Sequence, residues 1–98
     1  MSGQLQINAI AFQEGDAWVV QGIEYDIVAH TYDVRKLTDA FMRAVVENII
    51  ITEHLGRRPL EGIKPAPEQF LEMFENAEIE MRSVKSDARA GVAVRLAG

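Results

Sequence analysis

Four carboxylates, Glu14, Asp16, Glu24 and Asp26, fall in or beside the connections between the first three apolar runs of the chain. Brought together in space, such a set is what a two-metal nuclease uses to hold its ions and align an in-line attack. Acidic residues in hairpin connections more often form solvated turns, and that reading is the one adopted for these four. His30 and His54 have no cysteine companions and no HExxH spacing, so they do not form a zinc signature. His30 reads as a sheet residue with a satisfied ring, and His54 as a helix-end residue favoured by the negative end of the helix dipole. The hydroxyls of Ser2, Thr31, Thr38, Thr52, Ser83 and Ser86 lie in no nucleophile-elbow context, and neither a P-loop nor a GxGxxG run is present. The expectation is a protein without catalytic residues, metal ligands or cofactor.

The remaining chemistry is that of recognition. In "WVVQGIEYDIVAH", residues 18–30, two apolar runs flank a Glu-Tyr-Asp insert. Gly22 supplies backbone freedom and Glu24 and Asp26 supply polarity, so "GIEYDI" reads first as a turn. Glu24, Tyr25 and Asp26 also form an acidic, aromatic rim of the kind that contacts a basic protein, since Tyr is enriched at interface cores. Trp18 reads as a packing residue, and Arg57 and Arg58 as compensation for the end of a helix.

Composition narrows the partner class. A chain of 98 residues with 48% hydrophobic and 26% charged residues is sized and composed for one folded domain. Ten Lys and Arg stand against fifteen Asp and Glu, a net charge of −5, which argues against direct nucleic-acid binding and suits a basic protein. There is no cysteine, which excludes disulfides and thiolate metal sites and suits a reducing cytoplasm. The first 18 residues show neither the basic region nor the long apolar region of a secretory signal, and no apolar run is long enough to span a bilayer.

These side chains need elements to position them. "LQINAIAF" alternates Leu5, Ile7, Ala9 and Ala11 on one face with Gln6, Asn8, Ile10 and Phe12 on the other, "QEGD" supplies a turn, and "AWVVQGI" resumes strand-type residues. "DIVAHTY" follows after a short connection, completing a three-stranded antiparallel meander. At Asp33, an N-cap, the period becomes helical and continues to about Leu55. Val34, Leu37, Phe41, Ala44, Val45 and Leu55 share the stripe expected to face the sheet. Met42, Val46 and Ile49 lie beside it, and only a narrow strip with Lys36, Asp39, Arg43, Glu47 and His54 is plainly polar. A second surface must bury that flank, either the C-terminal segment of the same chain or a second subunit of a homodimer.

Gly56 suits the residue after the helix, and the Pro-rich stretch 56–66 is a connector that Leu60 and Ile63 pin to the core. Pro67 opens a second helix with Phe70, Leu71, Phe74 and Ala77 on one face, ending near Ala77 or Glu78. Beyond it, Met81 and Val84 would extend the helix whereas "IEMRS" alternates like a strand; "KSDARAG" is turn-like, and "VAVRL" is a possible short strand. The fold class is α+β: a three-stranded meander packed on one long helix, then a short helix and a possible C-terminal strand. It forms one domain over 1–98, with its core in 5–55, the connector at 56–66 and a C-terminal helix and tail at 67–98.

The order of hairpin, "WVVQGIEYDIVAHTYDVRKLTDAFMRAV" and long helix resembles the HicB antitoxin family, whose members have a partial ribonuclease H fold. The likeness covers roughly residues 5–55, with "WVVQ", "GIEYDI" and "LTDAF" as its local matches. It implies a non-enzymatic partner-binding protein, either an antitoxin that masks a small, basic, RNA-cleaving toxin of the HicA type or a stand-alone relative that has kept the fold and lost the toxin. Residues 65–98 hold one convincing helix and no basic recognition helix, so operator binding is not expected. The alternative function is a small-ligand-binding or regulatory homodimer that uses the apolar groove between sheet and second helix.

Overall fold

Alternating apolar residues produce strands here because each strand has a face to bury. The computed structural model describes residues 5–80, 85–86 and 90–97. β1 (Leu5–Glu14) pairs antiparallel with β2 (Ala17–Gly22), Glu14 standing opposite Ala17, so the turn tightens to the two residues between them. β2 pairs antiparallel with β3 (Val28–Thr31), which completes the expected meander.

The period then changes as expected, with one local difference. Asp33 accepts a hydrogen bond from the Arg35 backbone N–H, but it caps a 3-10 turn over Val34–Lys36, and the α-helix proper, α1, runs Leu37–His54. Leu37, Thr38, Phe41, Val45, Ile49 and Thr52 are its buried residues. This corrects the predicted stripe at three places. Val34 is exposed because the tighter turn rotates it off the helical stripe, and Leu55 is exposed because the helix has already ended. Ile49, assigned to the flank, is fully buried on the sheet side of the helix. Residues four apart advance by slightly more than one turn, and the buried row follows that drift.

The helix ends on Gly56, whose φ is 78°. The Gly56 N–H donates to Glu53 O and the Arg57 N–H to Thr52 O, a Schellman closure that satisfies two late carbonyls. The connector then turns back under the helix. Leu60 is fully buried despite a φ of 64°, and its N–H donates a 2.9 Å hydrogen bond to Thr52 Oγ1. Ile63 packs against the core as well, so both predicted pins hold.

The second helix, α2, spans Glu68–Asn76, followed by β4 (Ile79–Glu80), β5 (Lys85–Ser86) and β6 (Ala90–Leu96). The sheet exceeds the expected meander, because β6 pairs parallel with β1 over seven residues, from Leu5 opposite Ala90 to Ala11 opposite Leu96. Its strand order is β3-β2-β1-β6-β4, with β5 also pairing β6. The expected C-terminal strand is thus interior to the sheet. Its Ala90, Val92 and Val94 are buried, joining Ile7, Ala9, Ala11, Val20 and Ala29 beneath α1. Met81 and Val84, the residues named for a helical continuation, lie outside the described residues, as do positions 87–89 of the turn-like stretch.

The opposite sheet face carries Ile10, Phe12, Val19 and Gln21, and part of it lies under α2. Phe70 stacks on Phe12 with centroids 6.0 Å apart. Two helices therefore sandwich a mixed sheet, with the larger core on the α1 side.

Candidate functional site

The four connection carboxylates do not converge. Glu14 and Asp16 sit at the β1–β2 turn, whereas Glu24 and Asp26 lie past the other end of β2, which pairs back as far as Ala9. About six residues of strand separate the pairs, roughly 20 Å. His30 is exposed on β3 and His54 is exposed in the last turn of α1, in different layers. Among the described residues, no group of three or more His, Asp or Glu side chains is placed to hold a metal ion.

The "GIEYDI" segment is a turn with its own internal bonding. The Gly22 N–H donates to Ile27 O at 2.8 Å, and a Cβ at Gly22 would lie 2.6 Å from Tyr25 O and 3.0 Å from Phe41 Cζ. Only glycine fits that approach. Glu24 accepts from both the backbone and the side-chain nitrogen of Asn8, at 2.7 and 2.8 Å. Asp26 Oδ1 accepts from Gln21 Nε2 at 2.8 Å, and Tyr25 packs, partly buried, against the core. The connector runs alongside, with the Asp26 N–H donating to Lys64 O and the Ala66 N–H to Ile23 O. Glu24, Tyr25 and Asp26 are adjacent, and the carboxylates of Glu24 and Asp26 accept hydrogen bonds within the bend. Glu24 and Asp26 still present exposed surface.

Of the flank residues on α1, Met42 and Val46 are partly buried, and Met42 packs on the chain's own core together with Ile49. The exposed apolar side chains of this helix are instead Ile50 and Ile51, with Leu55 just past its end. The periodicity carried a signal for them, since "NIIIT" puts three consecutive isoleucines on a helix and one sheet covers only one of them.

A separate concavity lies on the other side of the sheet. α2 and the strand after it enclose an open groove of about 670 Å³, with Met73, Ala77, Ile79 and Ala97 as its apolar lining and Glu72 and Glu78 on its rim. Arg95 on β6 holds this element in place. Its guanidinium lies over the Phe74 ring, its Nη1 donates to Phe74 O at 3.0 Å, and its Nε is 3.7 Å from Glu80. Residues 68–80 contain five glutamates and no Lys or Arg, a third of the fifteen acidic residues of the chain. The sequence showed this acidic run, but the groove beside it depends on β6 being interior to the sheet.

Proton affinities are shifted at the start of α1. Arg35 donates to both carboxylate oxygens of Asp33, and this side-chain hydrogen bonding, with the Arg35 backbone N–H, holds the Asp33 carboxyl below the usual aspartate range. The same pairing raises Arg35.

Among the described residues, no helix is long and apolar enough to cross a membrane. No protein-family model matches the chain, and no curated protein or solved structure shows detectable similarity to it.

Proposed function

We propose that this chain is a non-enzymatic protein-interaction module of the HicB antitoxin type, taking a small basic partner on the acidic face carried by α2 and β4. The observation that carries the reading is the groove itself: an apolar lining for an anchoring side chain, rimmed by Glu72 and Glu78 and flanked by further glutamates. An acidic rim of this kind attracts a cation-rich protein and sets its orientation, while the apolar lining supplies affinity once water is displaced. The meander of β1 to β3 leading into α1 has the element order on which the resemblance to HicB antitoxins rests, which supports the same partner class. That partner is a small, basic, RNA-cleaving protein of the HicA kind, masked by the complex, in the cytoplasm.

A second reading has an observation in its favour. The groove volume falls within the range of small-molecule sites, which fits a ligand-binding regulatory protein.

The two readings separate in one experiment. Tagged chain is purified from its host after nuclease treatment, and whatever remains bound is identified by mass spectrometry and native mass. The antitoxin reading expects a small basic protein in fixed stoichiometry, lost with Glu72→Lys plus Glu78→Lys and kept with Glu14→Lys plus Asp16→Lys, and growth rescue when the two are co-expressed. Retention of the partner by the Glu72/Glu78 variant, or recovery of the chain with only a small molecule bound, overturns it.

A further inference from the structure

The outer face of α1 bears a seam at coiled-coil spacing. Asp39, Arg43, Val46, Ile50 and Glu53 follow one another at intervals of four, three, four and three residues, so they form one line along the side of the helix away from the sheet. Asp39, Arg43 and Glu53 are exposed, Val46 is half-buried, and Ile50 retains 53% of its surface. Among the described residues, none buries Ile50.

The seam has a symmetry of its own. Two such helices laid antiparallel, with a two-fold axis level with Asn48, bring Val46 of each copy opposite Ile50 of the other, and Arg43 of each opposite Glu53 of the other. Apolar residues meet at the centre and opposite charges meet outside them, on both sides of the axis. A parallel arrangement would instead place Arg43 against Arg43 and Glu53 against Glu53. An isologous interface requires this kind of self-complementarity, because one surface patch must fit itself.

We infer that α1 docks against α1 of a second copy of this chain in that antiparallel register, forming a two-fold dimer. Glu53 also has a partner within its own chain, so the cross-copy pair is an exchange of partners. Exposed ion pairs add little affinity and mainly select register, whereas Ile50 and Val46 supply the burial. The surface lies across the sheet from the α2 groove and does not depend on what that groove binds.

The test is sedimentation equilibrium of the full chain over a concentration series reaching roughly 100 µM. Wild type is expected to dimerise and Ile50→Glu to be monomeric with an unchanged circular dichroism spectrum, since Ile50 is not part of the core. Arg43→Glu alone and Glu53→Arg alone each create two like-charge contacts and are expected to weaken the dimer by about tenfold or more. The Arg43→Glu/Glu53→Arg double variant restores opposite charges and is expected to return to within about threefold of wild type. The chain has no cysteine, so Val46→Cys with Ile50→Cys is expected to yield an oxidised covalent dimer. A wild type that stays monomeric, leaving this face to a different partner, overturns the inference. So does a dimer that survives Ile50→Glu or is not restored by the double charge exchange.

Discussion

The Arg95 guanidinium lies 4.2 Å from the ring centroid of Phe74 and donates an Nη1 hydrogen bond to the carbonyl of the same residue. One side chain on β6 thus holds the C-terminal end of α2 through two interactions. Arg95→Ala is expected to cost about 1–2 kcal/mol, combining the cation–π contact with a hydrogen bond to a charged group. Amide hydrogen exchange is expected to speed up in α2 while that of α1 changes little. If both helices respond equally, Arg95 supports the whole fold and does not specifically hold α2.

Gly22 lies where the backbone of the bend passes closest to Phe41. Gly22→Ala places a methyl group 2.6 Å from a carbonyl oxygen that cannot swing away, and overpacking of this kind costs about 1–3 kcal/mol. Chemical denaturation is the appropriate measurement, and a change within about 0.5 kcal/mol would show that the bend can open to admit the methyl.

Thr52 connects α1 to the connector. Its Oγ1 accepts from the Leu60 N–H, and both residues are buried. Thr52→Val keeps the shape and leaves the Leu60 N–H unpaired, at an expected cost of about 1–3 kcal/mol. Thr52→Ser retains the acceptor and is expected to lose less. Comparing the two by thermal or urea unfolding separates the hydrogen bond from the packing.

Asp33 gives the start of α1 a pH dependence with a definite sign. Its folded-state affinity for protons is lowered by Arg35, so the carboxylate form stabilises the fold above the ordinary value of 3.8. That contribution is lost as pH falls from there through the lower folded value. Asp33→Asn is expected to flatten the stability profile in that acid range and leave its shape near neutrality unchanged, as read from urea midpoints across pH.

Much of the fold could be read locally. Alternation located β1, β2 and β3, Pro67 located α2, and Gly56 located the end of α1, because each of these depends on residues within a few positions of one another. Leu60 and Ile63 stand out as pins by their apolar character within a polar connector. The candidate site was less legible. Glu24, Tyr25 and Asp26 were found as a group, but the sequence does not show that Asn8 and Gln21 bond to their carboxylates.

The sequence by itself determined the three strands of the meander, the two helices, the end of α1 at Gly56, and the acidic character of the segment that carries α2. It also gives α1 more apolar residues than one line beneath a sheet can take. Only the tertiary structure decided that β6 runs parallel beside β1 and that Ile49 turns inward while Ile50 stays outside. It also decided that a groove opens between α2 and β4. The reason is physical: strand and helix periods are written into neighbouring residues, whereas parallel pairing joins positions 85 residues apart, such as Leu5 and Ala90, with no local signal. Which isoleucine of three reaches the core then follows from where the enlarged sheet meets the helix.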